Sequence, residues 1–415
     1  MSLGEQVALD MFESADQLIE EAAHLGEVAR TRPEMLLQPI LDRLRQSDLQ
    51  LGCGRSERLD LVARAFERGV DLSRLHAHGG SLLDPFLRAR DRFRVDHRDQ
   101  RYGGRRMDLE ELDYYLPREL IAQHPAARRD ESRLLVYERD GGAVRHRRFA
   151  ELPEELHGEL VVVNESKVVP ARIPIESPRG EVLLLERIDG DVWEGLARPT
   201  RRLKLGCRYG PVELLEHLGD GRWRLRLAGE PAGDTPLPPY ITEPLRDPER
   251  YQTVYARDPG SAAAPTAGLH FTPELLDALD VERVTLHVGL DTFRPVTEDR
   301  LEDHAIHGER YSVEATAWER IRAAERVLAV GTTTVRVLET LAHGGAPAGR
   351  TELFITPGFE FRRVDALLTN FHLPRSTLLA LVMAFAGVEE TRGLYELAIA
   401  EQYRFYSFGD AMLIV

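Results

Sequence analysis

VLAVGTTTVRVLETL, residues 327–341, opens on four apolar residues, turns at Gly331 and continues with apolar side chains at Val335, Val337, Leu338 and Leu341. A short apolar run bounded by glycine reads as a buried strand, and the threes-and-fours spacing after it reads as a helix. A strand feeding a helix in this way is one βα unit of an α/β sheet. The first turn of such a helix carries free N–H groups, here beside the hydroxyls of Thr332, Thr333 and Thr334. It either binds a phosphate or carboxylate or is simply capped by those hydroxyls. Arg336 lies about one turn in. The glycine spacing fits neither a phosphate-binding P-loop nor a dinucleotide fingerprint, so those cofactors are not expected.

The same plan recurs along the chain. LVVVNESKVVPAR (160–172) is a buried strand, a polar turn and a second short strand. DALLTNFHLPRSTLLALVMAFAG (365–387) is a strand, the polar turn Asn370-Phe371-His372, and an apolar helix capped by Ser376. YRFYSFGDAMLIV (403–415) ends as a buried strand, with Tyr406, Ser407 and Asp410 in the turn before it. Between these lies 251–293, where Pro265 and Gly268 make a tight turn with His270 at its rim. A helix is expected at 273–279. Beyond it Val284, Leu286 and Val288 alternate with Thr285 and His287, so a threonine and a histidine face away from the apolar side as though lining a cavity. Open α/β sheets place ligands at the carboxyl ends of their strands. His270, His287 and His372 at comparable strand ends therefore outline one site.

Between 173 and 235 the helical pattern stops. Segments 180–188, 192–197 and 222–227 read as strands joined through Asp189-Gly190 and Asp220-Gly221, both strong hairpin signals. Trp223, Leu225 and Leu227 alternate with Arg222, Arg224 and Arg226, giving one core face and one basic face. This predicts a small all-β barrel inserted in the α/β body. The link ARPTRRLKLGCR adds Arg198, Arg201, Arg202, Lys204 and Arg208. Such a run is either a solvated edge or a phosphate-binding patch.

The remaining 1–106 reads differently. Helical patterning covers 16–30, 35–46 and 57–68, and 59–89 resembles a degenerate ankyrin repeat. His76, His78 and Cys53 fit no metal spacing. The charged, glycine-bearing linker 94–106 marks a boundary. The expected organisation is a helical extension (1–106), an α/β domain with mixed, barrel-like βα units (107–172 and 236–415) and the inserted barrel (173–235).

Composition narrows the function. Among the 415 residues, 54 Lys and Arg against 69 Asp and Glu give a formal charge of −15. That excludes a sequence-blind nucleic-acid binder with a broad positive field, though not a local basic patch. Lysine occurs only at Lys167 and Lys204, and the two cysteines, Cys53 and Cys207, are too few for a disulfide framework or a sulfur-based zinc site. A metal site would have to use His and carboxylates. The longest apolar run, 378–386, is far below the roughly 18 residues a membrane span needs. Residues 1–30 lack the order of a signal peptide, and a cytoplasmic, monomeric protein is expected.

From about 107 to 415 the chain closely resembles the S-adenosylmethionine:tRNA ribosyltransferase-isomerase family of queuosine biosynthesis. The resemblance rests on LPRELIAQHP (116–125), NESKVVPAR (164–172), PLPPYI (236–241), AAPTAGLHFT (263–272), VTLHVG (284–289), AVGTTTVR (329–336), VDALLTNFHLP (364–374) and YRFYSFGDAM (403–412). It implies transfer of the ribosyl part of S-adenosylmethionine to 7-aminomethyl-7-deazaguanine at a tRNA wobble position, with rearrangement to epoxyqueuosine and loss of adenine and methionine. It also implies a larger α/β domain with an inserted β-barrel and no metal.

Such chemistry needs a base beside the sulfonium, an acid for adenine, and contacts for sugar, carboxylate and tRNA. His270 and His372 have the ordinary pKa suited to proton transfer, and Asp365 or Asp410 could orient one of them. Thr285, His287 and Asn370 are candidates for sugar or base edges. Arg336 with Thr332 and Thr333 are candidates for the methionine carboxylate. Arg172 is a further substrate candidate, Tyr251, Tyr255, Phe371 and Tyr406 are candidate stacking platforms, and the 198–208 basic run is the candidate tRNA grip. Asp291 stands where the family usually has glycine, and Gly308 where it usually has serine. A related enzyme acting on another base, or a non-catalytic RNA-binding scaffold, are the alternative readings.

Overall fold

The computed structural model describes residues 107–289, 296, 301, 304, 306 and 308–415. The expectations for 1–106, including the ankyrin-like segment, and for Asp291 lie outside them. In chain order the elements begin with β1 (Arg133–Tyr137), β2 (Val144–Arg148), β3 (Leu160–Asn164) and β4 (Ser166–Val168). Six strands follow: β5 (Arg172–Ile175), β6 (Gly180–Asp189), β7 (Val192–Arg198), β8 (Arg208–Tyr209), β9 (Val212–Gly219) and β10 (Arg222–Leu227). Then come β11 (Asp258–Ser261), α1 (Pro273–Asp277), β12 (Val281–Leu286), β13 (Glu309–Ser312), α2 (Ala315–Ala323), β14 (Val327–Val330) and α3 (Thr332–Ala342). The chain ends with β15 (Ala348–Thr351), β16 (Ala366–Asn370), α4 (Thr377–Ala386), α5 (Val388–Ala400) and β17 (Ala411–Ile414).

Nine strands form one mixed sheet in the order β15-β13-β12-β3-β14-β16-β17-β1-β2. Its centre, β12-β3-β14-β16, is parallel, and β17 runs antiparallel to β16. The apolar runs are continuous because both faces of these strands are covered. Val162, Ala329, Leu367 and Met412 belong to one core, while Val161, Val163, Leu328, Val330, Leu368 and Leu413 belong to the other. Each fully buried valine or leucine contributes about 1.5–3 kcal/mol relative to exposure, so strands only four or five residues long are held firmly.

The turn after β14 depends on Gly331, whose φ of 86° lies in the left-handed region. Here the capping reading is corrected: the threonine hydroxyls do not cap α3. Thr334 Oγ1 instead donates back to Val330 O at 2.7 Å, and Thr333 Oγ1 accepts from Asn164 Nδ2 at 3.3 Å. Ser376 does cap α4, accepting from Leu379 N at 3.2 Å.

Strands β5–β10 form a nearly closed, antiparallel six-stranded barrel in the order β5-β6-β7-β10-β9-β8. Trp193, Trp223, Leu225 and Leu227 fill a core made only of residues from Val169 to Leu227. The hairpin between β9 and β10 has Asp220 and Gly221 at φ 48° and 80°, the paired left-handed conformations that a tight hairpin needs. The outward face of β10 is not a free basic stripe. Arg222 pairs with Glu194 at 2.7 Å, Arg226 with Glu213 at 3.1 Å, and Arg224 with Glu216.

Candidate active site

The carboxyl ends of β14 and β16 open into a cleft with about 510 Å³ of empty volume, its mouth included. Gly331, Thr332 and Thr333 line it from the start of α3, and Thr369, Asn370 and His372 line it from the end of β16. Ala264, Pro265, Thr266 and Ala267 come from the tight turn, and Tyr240, Tyr406 and Ser407 complete the wall. Tyr406 is held at φ 71°, a left-handed conformation that a bulky residue adopts only when its surroundings impose it. Its ring lies 4.6 Å from that of Tyr240, whose hydroxyl is 2.7 Å from Ser407 Oγ.

Asn370 is the polar hub. Its Oδ1 accepts from Thr266 Oγ1 at 3.0 Å, and its Nδ2 faces His270 Nε2 at 3.2 Å and Asp410 O at 3.4 Å. An amide nitrogen only donates, so Nε2 accepts, and the proton sits on Nδ1, which donates to Ser132 Oγ at 3.0 Å. Burial, reinforced by the positive charges of Arg404 and Arg129, pushes the His270 pKa down to about 3. The expectation that His270 sits at the rim is thus corrected: it is 4% exposed and stands behind Asn370.

His372 does line the cleft, and burial lowers its pKa to about 3 as well. Its Nε2 is 2.7 Å from Thr369 Oγ1, which lies 3.3 Å from Asn370 O. With the hydroxyl donating to that carbonyl, Nε2–H donates to the hydroxyl, and Nδ1 keeps its lone pair. The backbone is pinned too: His372 N donates to Tyr395 Oη at 2.9 Å, and His372 O accepts from Tyr114 Oη.

A family described as "Queuosine biosynthesis protein" matches residues 109–414 of this chain. The chain belongs to that family. Among proteins similar to this member of the queuosine biosynthesis family is the S-adenosylmethionine:tRNA ribosyltransferase-isomerase of Rubrobacter xylanophilus, 54% identical over 330 residues, which covers 74% of this chain and 98% of that one. The Moorella thermoacetica protein of the same name is 50% identical over 346 residues, covering 74% and 100%. A crystal structure of S-adenosylmethionine tRNA ribosyltransferase from Thermotoga maritima is 39% identical, covers 74% of this chain and 100% of that chain, and has a TM-score of 0.44.

Several residues singled out from the sequence lie elsewhere in this family member, each for a physical reason. Arg336 is in a buried pair with Glu309 and also donates to Leu353 O at 3.0 Å and Thr351 O at 3.1 Å, so it has no reach into the cleft. Asp365 precedes β16 whereas Asn370 ends it; five residue steps along the strand separate them by roughly 17 Å. Its Oδ2 accepts from Val327 N at 2.8 Å. Arg172 pairs with Glu181 at 3.2 Å at the start of the barrel. Phe371 does border the cleft, but it and Tyr251 are fully buried, with ring neighbours Phe405 at 5.0 Å and Phe408 at 5.8 Å, so neither ring is a free stacking platform. Tyr255, also buried, is packed edge-on to Phe271 at 6.3 Å.

Thr285 and His287 do not line the cleft; their neighbour Val288 does. His287 packs on Gly260, where an added Cβ would come within 2.8 Å of Nδ1, and its Nε2 is 3.6 Å from Asp258 Oδ2. Burial lowers the His287 pKa, and Asp258 acts in the opposite direction. Asp410 Oδ1 accepts from Arg133 N at 2.9 Å and Oδ2 from Arg404 N at 2.8 Å, so that carboxylate organises backbone. Sequence reasoning missed Tyr240, Thr266 and Thr369. The tyrosine belongs to a proline-rich connection that reads locally as a linker, and nothing local marks its return to the cleft.

Arg198, Arg201, Arg202, Lys204 and Arg208 are all exposed. Among the described residues no group of three His, Cys, Asp or Glu side chains is placed to hold a metal ion, and no helix is long and apolar enough to cross a membrane.

Proposed function

We infer that this chain is an S-adenosylmethionine:tRNA ribosyltransferase-isomerase. It transfers and rearranges the ribosyl part of S-adenosylmethionine onto 7-aminomethyl-7-deazaguanine at the wobble position of tRNA, giving epoxyqueuosine and releasing adenine and methionine. The observation that carries this reading is 54% identity to a protein of that name across 98% of its length. Residues 107–172 and 236–415 are read as the catalytic domain and 173–235 as its insert. The separate core of the barrel supports that division.

His372 is the base of this reading. It enters the reaction neutral, and its bare Nδ1 can take the proton beside the sulfonium. A substrate carboxylate arriving at Thr332 and Thr333 raises its pKa and so strengthens it as a base. Asn370 and Thr266 hold sugar hydroxyls, with His270 fixing the amide of Asn370. The paired rings of Tyr240 and Tyr406 offer an apolar wall with a polar edge to a flat base. The exposed cations at 198–208 grip phosphates of the tRNA.

The deciding experiment incubates the protein with S-adenosylmethionine and tRNA carrying the deazaguanine. Release of adenine and methionine in step with conversion of the base is expected. A folded protein that releases no adenine overturns the reading.

A further inference from the structure

A second recess, with about 880 Å³ of empty space including its mouth, lies between the start of β1, the end of β2 and the turn before β17. Arg133, Arg148 and Arg404 line it together with Gln402, Glu131 and Asp410. Arg133 and Arg148 are fixed by carbonyl oxygens, which orient them without cancelling their charge, while Arg404 also lies 3.7 Å from Asp410 Oδ1, which offsets part of its charge. Arg133 Nη1 donates to Glu401 O at 2.5 Å, and its guanidinium lies 3.6 Å over the Tyr403 ring. Arg148 Nη1 donates to Glu131 O at 2.9 Å, and Arg404 Nη1 to His124 O at 3.3 Å. Asp410 is already occupied by two backbone N–H groups, and Glu131 Oε2 accepts from Arg128 N at 3.3 Å. Each guanidinium has five N–H donors in a planar fork, so most of them are left for a ligand.

The recess backs directly onto the cleft. Ser132, which precedes Arg133, holds His270 at 3.0 Å, and the carbonyl of Asp410 is 3.4 Å from Asn370 Nδ2. We propose that this recess binds a phosphodiester of the RNA strand, next to the nucleotide that enters the cleft. Three arginine forks lining one recess favour an anion over a neutral sugar, and the anion that an RNA strand brings is its phosphate. A polymeric ligand is favoured because the recess and the cleft share one hydrogen-bonded partition, which a single strand can straddle. The proposal rests on the tRNA-modifying function above.

The test titrates tRNA into the full chain at several salt concentrations, for wild type, Arg148→Ala and Arg148→Lys, with inorganic phosphate as a separate competitor. Arg148 is exposed on an edge strand, and thermal melts confirm that the variants fold. The alanine variant is expected to bind tRNA about tenfold more weakly, as for removal of a charged hydrogen bond. Its slope of log affinity against log salt falls by about 0.7–0.9, the share of one neutralised phosphate. Arg148→Lys keeps the slope, and the KM for S-adenosylmethionine is unchanged in both variants.

Unchanged tRNA affinity and slope in an active, folded Arg148→Ala protein overturns the proposal. If inorganic phosphate then still competes in a manner that depends on Arg148, the recess is a site for free phosphate rather than RNA. If wild type neither binds tRNA nor releases adenine, the functional reading itself has failed, and the proposal falls with it.

Discussion

Asn370 Nδ2 stands 3.2 Å from His270 Nε2, while Ser132 Oγ holds the opposite ring nitrogen at 3.0 Å. The histidine is therefore a fixed acceptor that turns the Asn370 amide so that Oδ1 meets Thr266. Misplacing a positioning group of this kind costs on the order of a hundredfold in rate. His270→Ala and Asn370→Ala are each expected to lower single-turnover adenine release by about that factor. The double variant should be little worse than either, because the two act as one unit. His270→Gln, which still offers an acceptor, should recover most of the rate without altering the pH profile. A His270→Gln enzyme as slow as His270→Ala, with a lost limb in its pH profile, makes His270 an acid or base instead. Undiminished release by His270→Ala rules out both roles.

The two buried histidines also tie stability to pH. His270 and His372 have pKa values near 3 when folded, whereas an unfolded histidine titrates near 6.5. Between those values the unfolded chain binds more protons, so stability is complete above about pH 6.5 and drains away as the pH falls toward 3. Each histidine steepens that loss by about 1.4 kcal/mol per pH unit. Urea melts at pH 7.5, 6.5, 5.5 and 4.5 should show the decline, and His270→Gln should make it shallower. Equal slopes for variant and wild type below pH 6.5 count against a neutral, buried His270.

What could be read from the sequence follows the range of the interactions. Val327–Val330, Leu160–Asn164 and Ala366–Asn370 announce themselves as strands because burial on both faces demands apolar residues along their length, with polar ones only at the carboxyl ends. The hairpin at Asp220-Gly221 is legible because left-handed backbone demands those residue types. His372 and Asn370 are legible as cleft residues because polar side chains at the end of such strands have few other places to go. Arg336 is not legible: its partner Glu309 lies 27 residues away on another strand, and a lone arginine one turn into a helix carries no mark of a buried pair. The fate of β10 is similar, since each outward arginine is met by an acid from β7 or β9 that only the sheet register brings opposite.

The Arg336–Glu309 pair gives a contrasting prediction. Both side chains are about nine-tenths buried, and Glu309 Oε1 also accepts from Gly289 N at 2.9 Å. Removing one partner strands a buried charge, at a cost of about 3–5 kcal/mol. Arg336→Ala is expected to lose that much stability in denaturant melts. Near-normal KM for S-adenosylmethionine is expected in whatever fraction stays folded. Arg336→Met combined with Glu309→Gln should recover part of the loss. A stable Arg336→Ala protein with a selectively raised KM for S-adenosylmethionine returns Arg336 to the carboxylate site.

The arginines of the barrel divide into two sets with opposite expectations. Arg224 and Arg226 on β10 each face a carboxylate, so little net field is left there for a phosphate to feel. Arg201 and Arg202, in the turn after β7, are exposed and have no salt bridge among the described residues. Counterion release depends on uncompensated charge, so Arg201→Ala with Arg202→Ala should weaken tRNA binding and lower the salt slope by about 0.7–0.9 for each phosphate no longer neutralised. Arg224→Ala with Glu216→Ala, which removes a neutral pair, should leave both quantities where they were. Binding of tRNA measured from 50 to 200 mM salt separates the sets. Equal effects from the two double variants mean that the barrel is felt only through its overall charge and that 198–208 makes no local grip.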